Sequence, residues 1–279
     1  MTPFISIFNS VCTFLFGIVY SGVKWLGPFW SLVVFSLLGG VFMVWLFGKV
    51  SNQAMIKSTR SRMSAELIGL RLFNDDLRVF FRIQFDIFLW TLRYFKYSLI
   101  PMLIIMVPVI TILTQLNLHY AVRPLDVGEQ TLVKVTLRDR DALNRDPAIT
   151  LNAGDGLIIE TKGVQLAEKG EVAWRVRGAT PGKYDLVVGV GEETVAKELV
   201  VGGRREGVSS LRAGDGWITN FLYPGEAPIP KQSAVKTIEV AYPELEIAIF
   251  GWSMNWLILF FVLSMVFGFA LKGKLGVSI

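Results

Sequence analysis

Residues 51–120 read SNQAMIKSTRSRMSAELIGLRLFNDDLRVFFRIQFDIFLWTLRYFKYSLIPMLIIMVPVITILTQLNLHY, and the rest of the chain is organised around them. The stretch begins as a basic helix, turns at Asn74-Asp75-Asp76 and resumes as a far more apolar helix. It then runs into an uncharged span punctuated by proline. Met55, Ile56, Met63, Leu67 and Leu70 recur roughly three, four or seven apart between Lys57, Arg60, Arg62 and Arg71, which predicts one apolar face. Asn74 is placed to cap the second helix, and Asp75 and Asp76 suit its positive N-terminal end. In that helix Arg78, Arg82 and Asp86 recur every fourth residue, while Phe80, Phe81, Phe85, Phe88 and Leu89 fill the other sides. So narrow a charged stripe predicts a helix lying at lipid headgroups. The alternative is a soluble hairpin buried in a partner.

Composition points the same way. The 279 residues are 52% hydrophobic and 13% aromatic, with a mean hydropathy of +0.50. The apolar residues are clustered, which marks a membrane protein. Charge is equally uneven. Lys49 to Lys96 holds nine basic and four acidic residues, a net of +5, whereas Leu118 to Ile247 holds 16 basic and 19 acidic, a net of −3. The overall +5 is therefore a topology signal and gives little support for binding nucleic acid. A single cysteine, Cys12, excludes an intramolecular disulfide or a cysteine metal cluster, and a single histidine, His119, excludes a His-pair site.

Working outward, residues 1–26 are expected to form an amphipathic interfacial helix. Phe4 to Val23 is uncharged and about long enough to span, but Ser6, Asn9, Ser10, Thr13, Gly17, Ser21 and Lys24 make one small polar stripe. A true span remains the alternative for this segment. Residues 27–48 follow as a first transmembrane helix, entered at Gly27-Pro28 and left at Lys49, and the positive-inside rule then puts residues 49–97 in the cytoplasm as a basic helical hairpin. Ser36 and Gly40 form a small-xxx-small pair, for which close helix packing is the favoured reading. Residues 98–118 return as a second transmembrane helix that Pro101 and Pro108 should kink. Residues 119–246 change grammar to short alternating runs: TLVKVTL (131–137), GLIIET (156–161), EVAWRVRG (171–178), KYDLVVGV (183–190), TVAKELVV (194–201) and VKTIEVAYP (235–243) read as strands. Thr180-Pro181-Gly182-Lys183-Tyr184 resembles the turn and Tyr-bearing strand of bacterial immunoglobulin-like sandwiches, so an extracytoplasmic all-β sandwich is expected. LNAGDGLI (151–158) recurs as LRAGDGWI (211–218), a duplicated tight turn rather than a calcium loop. Residues 247–271 are an uncharged third transmembrane helix, and Lys272 and Lys274 place a cytoplasmic tail at 272–279.

The order of these parts resembles the YidC/Oxa insertase superfamily, including its archaeal relatives and subunit three of the ER membrane protein complex. The residues that carry the resemblance are Lys49 to Met63 after the first span, Leu72 to Asp76 at the hairpin tip, and Tyr97 to Pro108 entering the second span. They cover about Phe4 to Tyr120, with a weaker echo in the last span. The resemblance implies a bacterial inner-membrane protein, N-terminus outside and C-terminus inside, that inserts, chaperones or assembles membrane-protein clients without a cofactor. It implies a hydrated groove, lined here by Ser36, Gly40, Thr111, Thr114, Gln115, Asn255 and Ser264, which lowers the desolvation cost of moving polar residues through hydrocarbon. It also implies client or lipid contacts on the hairpin at Lys57, Arg60, Arg62, Arg71, Arg78, Arg82, Phe80, Phe81, Phe85 and Phe88. The basic residue that YidC proteins carry within the first core span has no counterpart, since the comparable positions around Val44 and Trp45 are uncharged. That departure favours the alternative, a structural subunit of a larger membrane complex. No catalytic constellation stands out, and no enzyme, metal or small-molecule ligand is expected. The expected partners are the bilayer and either clients or fixed subunits.

Overall fold

Long uncharged runs form helices in this chain and short alternating runs form strands. The structure, a computed structural model, describes residues 2–72, 77–139, 149–203, 207–214, 216–249 and 251–276. The helices are α1 (Thr2–Val23), α2 (Pro28–Val50), α3 (Gln53–Leu72), α4 (Leu77–Tyr120), α5 (Trp217–Leu222) and α6 (Trp256–Leu271). The chain divides into two units. One is Met1–Ser31 with Leu113–Trp256, and the other is Leu32–Ile112 with Leu257–Ile279.

Among the described residues three helices are long and apolar enough to cross a membrane: α1 over Ile7–Leu26, α2 over Pro28–Val50, and α4 within Phe80–Tyr120. Two of them fall on segments expected from sequence, α2 on 27–48 and part of α4 on 98–118, while α1 rather than 247–271 is the third. Residues 247–271 do not form one helix. Ile247–Ile249 (β10) and Trp252–Met254 (β11) pair as an antiparallel hairpin, and the turn between them carries Gly251 at φ 89°, a conformation glycine adopts without a Cβ penalty. The β-branched Ile247 and Ile249 suit a strand as well as a helix. Only 16 residues are left for α6, about 24 Å of helix against a hydrocarbon core of about 30 Å. The second departure is in α4. The second hairpin helix and the expected span at 98–118 are one helix of 44 residues with Pro101 and Pro108 inside it. Each proline withdraws one helical donor, leaving the carbonyls of Tyr97 and Ile104 without their usual partners. No glycine interrupts residues 77–120, so nothing else breaks the helix.

The strands are β1 (Gln130–Leu137), β2 (Thr150–Asn152), β3 (Leu157–Ile159), β4 (Val164–Leu166), β5 (Glu171–Gly178), β6 (Gly182–Val190), β7 (Glu193–Val201), β8 (Leu211–Ala213) and β9 (Val235–Val240). All six runs read as strands from sequence are among them. One sheet has the order β3-β5-β1-β9-β8, with β4 also on β5, and the other is β2-β6-β7. Every named pairing is antiparallel, with Val133 opposite Trp174 and Val240 on its two sides. Alternate residues of both sheets form one buried cluster, with Val133, Trp174 and Ile238 from the first and Leu186, Val188 and Leu199 from the second. Each such aliphatic side chain contributes about 1.5–3 kcal/mol on burial. The duplicated turn diverges: Gly154 to Gly156 leads into β3, while Gly216 leads into α5. Where α4 gives way to the sheets, Arg123 donates two hydrogen bonds to Glu129, at 2.8 and 3.0 Å, and holds that carboxyl below its ordinary range.

Candidate functional site

Helices α3 and α4 form the hairpin arm. α3 and the first half of α4 pair antiparallel: a Cβ on Gly69 would meet Ile83 Cδ1 at 3.5 Å, and seven residues away on each helix Arg62 lies over the Trp90 ring at 4.8 Å. Ile56, Thr59, Met63 and Glu66 face this seam from α3. Ile83, Ile87, Trp90, Tyr94 and Tyr97 share the facing stripe of α4, all of them buried or half-buried. Both sets alternate three and four residues apart, the spacing of a coiled-coil pair. The apolar face expected on α3 is therefore split. Ile56 and Met63 lie in the seam, while Met55 and Leu67 are exposed, because Thr59 and Glu66 take seam positions. Asn74, Asp75 and Asp76, and the side chains of Leu70 and Arg71, lie outside the described residues.

Lys57, Arg60, Arg62, Arg78 and Arg82 are exposed, as are Phe81, Phe85 and Phe88, while Phe80 is half-buried beside Phe81. Arg93 lies over Trp90 at 4.5 Å, so two guanidiniums share that ring. The exposed phenylalanines continue into a longer pattern. Phe81, Phe85, Phe88, Leu92, Phe95, Leu99, Met102 and Met106 are all exposed and alternate four and three residues apart. This apolar stripe runs along about 38 Å of one helix face. The stripe crosses the change in hydropathy near Ser98, and its four-and-three spacing is legible in the sequence on both sides of it.

Of the residues expected to line a groove, three meet in a closed seam between α2 and α6. A Cβ on Gly40 would stand 2.4 Å from the Ser264 carbonyl oxygen, and one on Gly268 would stand 3.1 Å from Val44. Ser36 and Ser264 are buried, and each hydroxyl donates to a carbonyl of its own helix, Leu32 O at 2.8 Å and Phe261 O at 3.1 Å. These residues act through small size, as close helix contact in lipid requires. Thr111, on α4, donates to Val107 O at 3.0 Å.

The other three belong to the unit of Met1–Ser31 with Leu113–Trp256. Thr114 and Gln115 are buried, and Gln115 Nε2 donates to Thr13 of α1 at 3.2 Å while Oε1 is buried without a hydrogen-bond partner. Asn255 lines a hollow of about 300 Å³ with Glu244, Glu246 and Ser253. Only part of the polar stripe of α1 turns inward: Asn9 is buried and donates to Asn220 O at 2.7 Å, while Ser10, Ser21 and Lys24 are exposed, and Phe16 and Tyr20 pack on the His119 ring. Outward, α1 presents Ile7, Phe14, Leu15 and Ile18. Between α1, α5 and Pro224–Pro228 lies a hollow of about 370 Å³, lined by Ser10, Thr13, Trp217, Asn220 and Glu226. Behind Glu226, the fully buried Lys197 donates to Ser209 O at 2.7 Å and to the Glu226 carboxylate. Burial pushes the Lys197 ammonium below its ordinary pKa, against the pull of Glu226. Sequence reading found neither this pair nor the hollow, since both join segments distant in the chain.

Among the described residues no three His, Cys, Asp or Glu side chains gather where they could hold a metal ion. What the geometry offers is packing and surface: a closed seam, an exposed apolar stripe and a basic arm. No protein-family model, curated protein or solved structure matches the chain.

Proposed function

We propose that the chain is a bacterial inner-membrane factor of the YidC/Oxa type that receives membrane-protein clients on the α3–α4 arm and guides them into the bilayer without catalytic chemistry. The observation that carries this reading is the stripe from Phe81 to Met106 on one unbroken helix. Lipid accounts for the part beyond Tyr97, where the chain is uncharged, but not for the residues before it if α4 stands across the bilayer. A four-and-three stripe fits another helix. A client helix that keeps contact along it passes from the arm into hydrocarbon without exposing its apolar face to water.

In this reading α2, α4 and α6 span, the short α6 through local thinning of the bilayer and snorkelling of Lys272 and Lys274, with N-terminus outside, and the β region is an extracytoplasmic immunoglobulin-like sandwich. Several observations support the arrangement. Gly39 meets Phe260, Gly40 meets Ser264 and Val44 meets Gly268, so α2 and α6 run in the same direction and end at Lys49 and Lys272. The contacts of α1 fall on the last turns of α4 and on α5, as an interfacial helix requires. The Tyr184 hydroxyl returns to Thr180 O at 3.1 Å, in the manner of a tyrosine corner.

The closed Gly40–Ser264 seam favours a second reading, a structural subunit whose stripe holds one permanent partner helix. Photocrosslinking amino acids at Phe85 and Met102, with gentle-detergent purification, separate the two. Insertion predicts that the same varied, short-lived membrane proteins crosslink at both positions. A single stoichiometric partner at both would replace it with the structural reading.

A further inference from the structure

The arm carries a hollow of about 530 Å³ on the side of α3 that meets Tyr94, lined by Lys57, Arg60, Ser61, Ser64, Ile68 and Tyr94 among others. Lys57, Arg60, Ser61 and Ser64 sit at i, i+3, i+4 and i+7, so two cations and two hydroxyls share one helix face, and the Tyr94 phenol closes it from α4. None of the described residues that line it is acidic. Ser64 donates to the Arg60 carbonyl at 3.0 Å, so Lys57 and Arg60 with the Ser61 hydroxyl are the groups whose chemistry holds a phosphate.

Position selects the source of that phosphate. Tyr94 stands three residues before Tyr97, where the uncharged stretch of α4 begins, a rise of about 4.5 Å. If α4 enters the bilayer there, the hollow stands at the depth of the headgroups. Trp90, one turn further out with Arg62 and Arg93 over its ring, is the aromatic-and-basic pairing typical of that level. Ile68 and the buried Ile56 give the hollow an apolar side for glycerol and acyl carbons.

We infer that this hollow is a binding site for the phosphate headgroup of an anionic phospholipid, which fixes the depth and tilt of the arm at the membrane. The inference rests on the membrane placement of α2 and α4 and not on client handling, so the test contains no client.

Full-length protein is reconstituted in phosphatidylcholine nanodiscs doped with phosphatidylglycerol bearing a headgroup photocrosslinker, and labelled residues are mapped by mass spectrometry. Labelling should concentrate on residues 57–68 and 94. Since a direct hydrogen bond to a charged group is worth about tenfold or more, Lys57→Gln with Arg60→Gln should reduce it about a hundredfold. Arg78→Gln with Arg82→Gln, an equal loss of charge outside the hollow, should leave it unchanged. Equal losses in both pairs would overturn the site in favour of diffuse attraction. Displacement by millimolar inorganic phosphate would make it a site for free phosphate, and displacement by a short RNA duplex would make it a nucleic-acid surface. Either result overturns the lipid assignment. An acyl-chain photoprobe serves as the reference. If it labels residues 99–106 while the headgroup probe misses the hollow, only this inference fails, and if it labels neither, the membrane placement fails first.

Discussion

Lys197 is the residue whose chemistry is most constrained. Its ammonium is fully buried, and its donors go to Ser209 O, Glu198 O and the Glu226 carboxylate. Glu226 also accepts from Glu198 N and lines the hollow under α1, so the pair ties the Pro224–Pro228 loop to β7. Replacing Lys197 with Met leaves that carboxylate without its cation, and losing one partner of a buried pair costs about 3–5 kcal/mol. Adding Glu226→Gln removes the stranded charge and keeps an acceptor for Glu198 N, so the double variant should recover most of the loss. Thermal unfolding of the full chain in detergent measures both, and a double variant as unstable as the single one would disprove the pairing argument. The pH dependence has a definite sign. Burial lowers the Lys197 pKa from 10.5, so between the folded value and 10.5 the unfolded chain binds more protons and stability rises with pH. Lys134 behaves oppositely. Its hydrogen bond to Glu239 raises its pKa, so its contribution is complete below 10.5 and is lost above it. The stability difference between wild type and the double variant should therefore shift towards wild type as pH climbs to 10.5.

Among the elements, the α2–α6 seam makes the sharpest demand on sequence. A Cβ at Gly40 would meet a backbone oxygen at 2.4 Å, which no side-chain rotation relieves, so Gly40→Ala must push the helices apart. Overpacking of this kind costs about 1–3 kcal/mol. Gly22 on α1 has open space around it, and Gly22→Ala should be neutral or slightly stabilising through helix propensity. Equal melting temperatures for the two variants in detergent would refute the close approach. The Ser36/Gly40 spacing announced this contact in the sequence, because small residues at i and i+4 have few other uses in an apolar helix. The six alternating runs announced their strands for a similar reason: period two has one structural meaning. Hydropathy carried less elsewhere. It scores Ile247 to Met254 like the helix that follows, and only Gly251 hints at the turn. It rises gradually along residues 77–120 and so suggested a boundary near Ser98 that the backbone does not make. The 370 Å³ hollow under α1 and the Lys197–Glu226 pair were illegible, since each joins residues brought together only by the fold.

For the whole molecule, the question is how many times the chain crosses and which way round. Residues 49–96 carry a net +5 and residues 118–247 a net −3, an asymmetry that the proposed topology reads by the positive-inside rule. The parallel run of α2 and α6 brings Lys49 and Lys272 to one end and accords with α2 and α6 both crossing outward to inward. The undecided element is α1, long and apolar enough to cross, yet with its contacts on α5 and the last turns of α4. Single cysteines introduced in a Cys12→Ser background decide among the arrangements. Ser10, Ser58 and Glu192 are all exposed in the fold, so burial by protein does not confound the labelling. With α1 interfacial on the outer face, an impermeant thiol reagent added to intact cells should label Ser10→Cys and Glu192→Cys. Ser58→Cys should react only after permeabilisation. If α1 crosses instead, residue 10 lies inside hydrocarbon and stays unlabelled in both conditions while Glu192→Cys still reacts. Labelling of Ser58→Cys in intact cells would place the basic arm outside, against the positive-inside rule, and would remove both the topology and the client path drawn along α4.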